Sequence, residues 1–246
     1  MSVQQIARRG LTGVTSGQLI TVEEMAEHTK PTGDLVLNNI NIMRNAFEGT
    51  PITSVVYEAH DYLMGEYAFA NCPNLAKAFV KDALTNNAGY IFVNDSALRS
   101  AVFHVHAQQV GGNTFNSCSA LESVDIGPSS NYLGVGAFKF CSALKTLVFR
   151  KDNGLVSLGA ASGTAACFYQ SSIDTGGNGC TIYIPQTMYD RLGDGTSLDY
   201  KANAAWAIYD AYGTIAWKSI ESTHTDPNAL IDLTQYYADG TAISTT

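Results

Sequence analysis

Two stretches, TFNSCSALESVDI (114–126) and AFKFCSALKTLVF (137–149), carry the same pattern in consecutive parts of the chain. In each, a cysteine follows a phenylalanine by three residues and a leucine follows the cysteine by three more. Each stretch ends in two apolar residues separated by one other residue. The phenylalanines Phe115 and Phe138 are 23 residues apart. A period of this length predicts a fold made of stacked copies of one structural unit.

The same spacing extends well beyond these two copies. The gaps between successive phenylalanines of the series are 22, 23, 23, 23 and 30 residues. The long last gap predicts an insertion within residues 153–180. The series consists of Phe47, Phe69, Phe92, Phe115, Phe138 and Phe168.

The end of each unit predicts a β-strand with one buried face. Val124–Asp125–Ile126 and Leu147–Val148–Phe149 have apolar residues at every second position, which is the period of a strand. One unit cannot bury its apolar edge alone, so the units are expected to stack and their strands to form a parallel sheet. Amphipathic helices do not fit, because Leu-x-x-Val-x-Ile mixes steps of three and two and the units are rich in Gly, Asn and Ser.

The cysteines follow the same register. Cys72, Cys118 and Cys141 each lie three residues after a phenylalanine of the series, where other units have Thr50, Asp95 or Ser171. This recurrence predicts a row of small buried side chains, in which a thiol packs as a small apolar group. The total of five cysteines is odd and no C-x-x-C pair is present, so we expect free thiols rather than disulfides or a zinc site.

The unit AF-x-x-C-x-x-L-x-x-[VL]-x-[IF] resembles the BspA-type leucine-rich repeat of bacterial surface and phage-associated proteins. The match covers about residues 40–220, is strongest at 110–150 and is weakest at 86–103, which lacks the Ala and the Cys. The sequence from Thr181 resembles the family's C-terminal unit, with a last strand that ends at Pro185 and a short helix after it. The resemblance implies binding or adhesion without catalysis and does not specify the ligand.

The predicted architecture is an α/β solenoid, mostly β: a leucine-rich-repeat stack with a parallel sheet, a small N-terminal cap and a C-terminal strand–helix unit. Residues 1–33 form the cap or attachment segment, with a helix from Val22 to about His28 that begins at a capping box. Residues 34–221 form the solenoid with its C-terminal cap. Residues 222–246 form a polar tail.

Composition excludes several partners. The net charge is −8 and the 14 basic residues are scattered, so a nucleic-acid partner is not expected. No apolar run approaches the roughly 20 residues of a membrane-spanning helix. The opening MSVQQIARRGLTG has no apolar segment after its basic pair, so no signal peptide is visible.

Motifs for catalysis, cofactors and metals are weak. His104 and His106 lie two apart on a predicted strand and so share a face, but zinc needs three or four ligands and no convergent Asp, Glu or Cys is evident. An exposed pair of histidines is the favoured interpretation. We found no nucleophile with a base and no nucleotide-binding motif, so no cofactor and no catalytic residue is predicted; a hydrolase or metal-dependent enzyme is a remote alternative.

The outward side of the predicted sheet is the candidate binding surface. Outward apolar residues of consecutive units would form a stripe, and exposed apolar patches often mark partner sites. The alternative is that the chain's own termini or an oligomer contact cover the stripe. The candidate surface residues are Val56, Phe79, Lys81, Val102, His104, Asp125, Val148 and Arg150, with Glu58 and Gly127 in the same rows.

Two binding functions follow from the resemblance and these rows. The first is a non-catalytic adhesion module that presents its surface to a protein or glycan on a cell surface. The second is a tail-associated, receptor-binding component of a phage virion, whose partners would include neighbouring virion proteins. The expected location is extracellular, at the bacterial cell surface or in a virion, and oligomers are compatible with either function.

Overall fold

The computed structural model describes residues 19–20, 31–58, 62–83, 85, 88–105, 109–174, 176–193 and 204–220. It contains thirteen strands and two helices within those ranges. The strands are β1 (Leu19–Ile20), β2 (Gly33–Asn38), β3 (Asn41–Ile42), β4 (Ile52–Glu58), β5 (Lys77–Ala83), β6 (Ser100–Val105), β7 (Gln109–Val110), β8 (Ser123–Ile126), β9 (Tyr132–Leu133), β10 (Thr146–Phe149), β11 (Ser157–Leu158), β12 (Cys180–Ile184) and β13 (Ile215–Ser219). The helices are α1 (Gln186–Gly193) and α2 (Ala204–Ala211).

One long parallel sheet organises the molecule. Its eight strands lie in the order β13–β12–β10–β8–β6–β5–β4–β2, and every neighbouring pair is parallel. Each coil of the chain therefore contributes one strand, as the repeat predicts. A second wall of short parallel strands, β11–β9–β7, lies elsewhere on the coils. The prediction of a parallel-strand solenoid is confirmed.

The core lies on the inner side of the eight-stranded sheet. Val124 and Ile126 of β8 and Leu147 and Phe149 of β10 are at most 2% exposed. These residues belong to one continuous apolar cluster that also includes Leu121 and Leu144. The alternation read from the sequence therefore assigns the inward side chains correctly in both of the clearest repeats.

The phenylalanine series forms a stack through this core. Neighbouring rings lie nearly parallel, with centroids 5.3 Å apart for Phe47–Phe69, 5.7 Å for Phe69–Phe92 and 5.5 Å for Phe92–Phe115. The stack continues at 5.3 Å from Phe115 to Phe138 and at 5.5 Å from Phe138 to Phe168. Ring separations in this range are favourable for offset stacking. The insertion before Phe168 thus leaves the register of the stack unchanged.

Each turn that contains a stacked phenylalanine from Phe47 to Phe138 has left-handed backbone on both sides of the ring, whereas the turn of Phe168 has it only at Gln170. Two residues before Phe92 and two residues after it, Tyr90 and Asn94 have φ of 61° and 64°. The bend that precedes Phe115 brings adjacent coils into close contact at Gly111. A Cβ on this residue would lie 2.0 Å from the Ala88 carbonyl oxygen of the coil before it. Glycine at this bend therefore allows adjacent coils to approach at the repeat spacing.

The C-terminal unit closes the last coil. β12 ends before Pro185 and α1 follows, which confirms the predicted strand–helix unit; α2 and β13 then add one further parallel strand. Trp206 of α2 is fully buried, and its indole Nε1 donates a hydrogen bond of 2.6 Å to the Val156 carbonyl. At the other end, β1 pairs with β3. The predicted helix from Val22 to His28 lies outside the described residues.

Candidate binding face

The outer side of the eight-stranded sheet carries three rows of side chains in register. The central row consists of Val56, Phe79, Val102, Asp125 and Val148, which are successive partners across the sheet. The upper row consists of Glu58, Lys81, His104, Gly127 and Arg150; Glu58 pairs with Lys81 and Lys81 with His104. The lower row consists of Ser54, Lys77, Ser100, Ser123 and Thr146.

The central row is buried, and the prediction that it faces solvent is wrong. Val56 is 3% exposed, Phe79 and Val102 are 2% exposed, and Val148 has no exposed surface. None of these four belongs to the apolar cluster on the inner side of the sheet. By contrast, Val36 continues the row on the edge strand β2 and is 38% exposed. Because these values refer to a single chain, no second copy is needed to cover the row.

Asp125 is the one carboxylate in the central row, and the side chains of Arg150 and His104 contact it from two sides. Arg150 donates from Nε to both carboxylate oxygens at 2.8 and 2.9 Å, and from Nη2 to Oδ2 at 2.5 Å. On the other side, His104 Nε2 lies 2.9 Å from Oδ1. The carboxylate is buried, whereas the side chains of His104 and Arg150 are 24% and 17% exposed. The sequence placed these three residues in adjacent rows, and the structure brings them together.

Gly127 makes this arrangement sterically feasible. It stands between His104 and Arg150 in the upper row, and a Cβ built on it would lie 2.8 Å from the Cα of His104. Any larger residue would push β6 and β8 apart and occupy the space over Asp125. The glycine therefore leaves both flanking side chains room to reach the carboxylate of the central row.

The charge state of Asp125 follows from these contacts. Burial by itself acts to raise the pKa of the carboxyl, but the hydrogen bonds and positive charges of His104 and Arg150 outweigh it and hold the pKa below its ordinary value. Asp125 is therefore an ionised carboxylate at neutral pH. Since an ionised carboxylate only accepts hydrogen bonds, His104 Nε2 carries the proton in this contact.

Lys81 completes the group of predicted surface residues. It is partly exposed, stands in register between Glu58 and His104, and contributes positive charge next to the Asp125 cluster. Together with Lys77 in the lower row, it makes the middle of this face basic. Negative charge at one end comes from Glu58 and from Asp34 of β2, which accepts a 2.6 Å hydrogen bond from Ser54.

A second buried carboxylate lies on the other side of the core, in the row of cysteines. Asp95 has no exposed surface; its Oδ1 accepts a 2.7 Å hydrogen bond from the Cys72 amide, while Oδ2 is buried without a partner among the described residues. Burial raises the pKa of Asp95 well above its ordinary value, and the amide bond offsets only part of this effect. Asp95 therefore holds its proton more tightly than an exposed aspartate does. Its register position was visible in the sequence, but its protonation was not.

The thiols of this row are packed as predicted. All five cysteines are free and buried. Cys118 Sγ lies 3.1 Å from the Phe92 carbonyl of the preceding coil, and Cys141 Sγ lies 3.1 Å from that of Phe115. Burial raises the pKa of Cys72 to about 12, with a further contribution from the nearby Asp95. These thiols are structural and unsuited to nucleophilic chemistry, which requires the thiolate.

The proposed histidine pair gives no metal centre that can be described. His104 is committed to Asp125, and His106 lies outside the described residues. Among the residues that the structure does describe, no group of three or more His, Cys, Asp or Glu side chains lies close enough together to hold a metal ion.

Comparison with protein families identifies the repeat. A model of the BspA-type leucine-rich repeat region matches residues 40–174 with six copies, which is more than half of the chain. The chain belongs to the BspA-type leucine-rich repeat family. No curated protein and no solved structure matches it significantly.

Membership of this family has coarse functional consequences. Leucine-rich repeats generally mediate protein–protein interaction, so the chain is a repeat-based interaction module. Solenoids of this kind are typically non-catalytic, and BspA-type repeat proteins are usually found at the surface or outside the cell. In the parts of the chain that the structure describes, no helix combines the length and apolarity needed to cross a membrane.

Proposed function

We propose that this BspA-type solenoid is a non-catalytic adhesion module that binds a protein or glycan on a cell surface through the outer face of its sheet. The face comprises the central row and the upper row, including the sequence-predicted residues Lys81, His104, Asp125 and Arg150. The same partner chemistry would serve on a bacterial surface or at the tail of a virion. Neither setting changes which residues make the contact.

The observation that supports this assignment is the second apolar row. A solenoid needs one apolar side for its core, and here Val56, Phe79, Val102 and Val148 form another on the opposite side of the sheet. Such a row is stable only when something lies over it, so this side of the sheet is built for contact.

The upper row would supply specificity. Arginine is enriched among residues that dominate binding energy, and the Arg150 side chain is partly exposed. Asp125 fixes the Arg150 side chain from below, so its orientation is set before a partner arrives. Preorganisation of this kind lowers the entropy cost of binding.

The test compares single variants that reverse charge on different faces. Lys81→Glu changes the upper row, whereas Lys139→Glu changes a partly exposed lysine near Phe140 and Tyr169, away from the sheet. Attachment of the labelled full chain to a panel of intact bacterial and animal cells, and to printed glycans, identifies targets and measures apparent Kd. We expect Lys81→Glu to weaken binding roughly tenfold, equivalent to about 1.4 kcal/mol, and Lys139→Glu to leave it unchanged.

Circular dichroism and thermal melts must show both variants folded before binding is compared. If Lys81→Glu binds its target as tightly as the parent while Lys139→Glu is impaired, the binding face lies elsewhere on the coils. Equal binding by all three proteins would also reject the outer face. Turnover of a bound glycan or peptide would contradict the non-catalytic part of the proposal.

A further inference from the structure

The cover over the central row extends across the middle of the sheet and stops before both edges. Exposure falls from 38% at Val36 on β2 to between 0 and 3% from Val56 to Val148, and Lys218 on the edge strand β13 is exposed again. The buried part spans β4, β5, β6, β8 and β10, about 19 Å at the usual strand spacing. Of the two described helices, α1 packs against β13 and α2 against β11, at the end of the stack.

The outer face also makes polar or ring contacts beyond those already described. Phe79 of the central row, Lys77 and Ser100 of the lower row and Arg150 of the upper row each have such a contact. None of these four residues is therefore without a further partner.

The N-terminal strand β1 lies on a wall of the coil away from the eight-stranded sheet. Leu19 and Ile20 pair in parallel with Asn41 and Ile42 of β3, which belongs to the wall away from the eight-stranded sheet. Residues 1–18 contain Arg8 and Arg9 and no acidic residue, so they match the charge of the basic upper row poorly. Position and charge both disfavour residues 1–18 as the cover.

The C-terminal segment starts at an edge of the eight-stranded sheet itself. Ser219 ends β13, an edge strand of the same sheet, and residues 221–246 follow it directly. From β13 to β4 the sheet measures about 29 Å, whereas 26 extended residues reach roughly 86 Å. The segment can therefore cross the whole buried part of the row.

Its composition complements the face. Residues 221–246 contain Glu221, Asp226, Asp232 and Asp239 and no Lys or Arg, so they oppose the positive charge of Lys77, Lys81 and Arg150. The stretch 229–233 (ALIDL), with Tyr236 and Tyr237 shortly after it, supplies apolar side chains for the central row. The segment thus offers both kinds of group that the face requires.

We propose that residues 221–246 lie across the outer face and cover the central row in the isolated protein. The segment is an intramolecular ligand of its own binding face. A partner must displace it. This competition rests on the proposed function, whereas the docking itself does not. Displacement would expose Phe79 and Val102 to the partner.

Photo-crosslinking in the full chain tests the docking. Benzoylphenylalanine replaces Tyr236 in one variant and, as a matched control, Tyr212, which is 37% exposed at the end of α2, in another. After irradiation and digestion, mass spectrometry locates the crosslinks. We expect the probe at 236 to crosslink within the same molecule to peptides that contain β4–β10, and the probe at 212 to give none there.

A charge variant makes the result quantitative. Replacing Asp226, Asp232 and Asp239 together with Asn in the full chain should lower the yield of sheet crosslinks from position 236 roughly tenfold, as expected for the loss of three surface ion pairs. Raising the salt concentration in the parent should act in the same direction. A matched triple variant at Asp152, Asp174 and Asp190, all outside the segment, should leave the yield unchanged.

Three results would overturn the docking: crosslinks only to other walls of the coils, crosslinks only between two molecules, or a sheet yield that does not respond to the charge variant. The crosslinking result and the binding test of the proposed function can be told apart. If position 236 crosslinks to the sheet while Lys81→Glu leaves target binding intact, the segment covers the face but the face is not the adhesion site. If Lys81→Glu abolishes binding and position 236 never reaches the sheet, the face is the adhesion site but the segment does not cover it.

Discussion

Replacing Asp95 with Asn should increasingly stabilise this protein, relative to the parent, as pH rises above 3.8. The ordinary pKa of the carboxyl is 3.8, and burial raises it well above that value in the folded state. As pH rises above 3.8, the unfolded chain loses this proton while the folded chain keeps it. Stability from this group is therefore complete below pH 3.8 and is lost as pH rises through the folded pKa.

The magnitude follows from the slope of this linkage. Each pH unit between the unfolded and the folded pKa removes about 1.4 kcal/mol of unfolding free energy. Asn keeps the oxygen that accepts the Cys72 amide but does not titrate. The difference in unfolding free energy between Asp95→Asn and the parent should therefore increase in favour of the variant as pH rises above 3.8, by up to about 1.4 kcal/mol per pH unit until the folded pKa is reached.

Urea unfolding at a series of pH values, followed by tryptophan fluorescence, measures this difference, since Trp206 is fully buried in the folded state. Circular dichroism checks that the sheet unfolds in the same transition. Other carboxyls titrate equally in both proteins and cancel in the comparison. A difference that is the same at pH 4 and at pH 6 would refute the reasoning, because Asp95 would then titrate alike in the folded and unfolded chains.

The remaining predictions concern the other carboxylate, the ring stack and the thiols. Asp125→Asn should lower the unfolding free energy by about 3–5 kcal/mol at pH 6 in the same urea assay, because it leaves Arg150 without its buried partner. The loss should shrink as pH falls below 3.8 through the lowered pKa of Asp125, and a loss that stays constant would contradict this. Phe138→Ala should lower the unfolding free energy by about 3–5 kcal/mol, because the ring is stacked on both sides. Phe140→Ala, at a partly exposed ring, should lower it clearly less, and equal losses would argue against the stack. Maleimide should modify none of the five cysteines in the native protein at pH 7.5 and all five in urea, with mass spectrometry as the readout and rapid native labelling as the contrary result.

The solenoid was predictable because its core depends on register alone. Once the phenylalanine period is known, the inward positions of every strand follow from a period of two, and Val124, Ile126, Leu147 and Phe149 are inward as expected. The cysteine row follows from the same arithmetic. Even the poorly matching unit at 86–103 keeps its place, since Phe92 still stacks between Phe69 and Phe115.

The state of the outer face was not predictable in the same way. Register assigns Val56, Phe79, Val102 and Val148 to the outer side of the sheet, but it cannot indicate what lies over them. Asp125 shows what a closer interpretation of the sequence could have found. A single carboxylate in an otherwise apolar row, next to a His and an Arg that flank a glycine, predicts a neutralised buried charge once the strands are aligned.

The energetics of the central row indicate why its cover cannot be incidental. Complete burial of one large apolar side chain contributes about 1.5–3 kcal/mol, and the cover supplies the part of this that the neighbouring strands do not supply for each of the four apolar members of the row. A protein partner that displaces the cover must therefore offer similar apolar surface, and any partner must leave His104 and Arg150 on Asp125, because an unpaired buried carboxylate would cost several kcal/mol more. Specificity at this face accordingly depends on two joint requirements: an apolar strip matched to four side chains, and polar groups that fit around a fixed histidine–aspartate–arginine cluster.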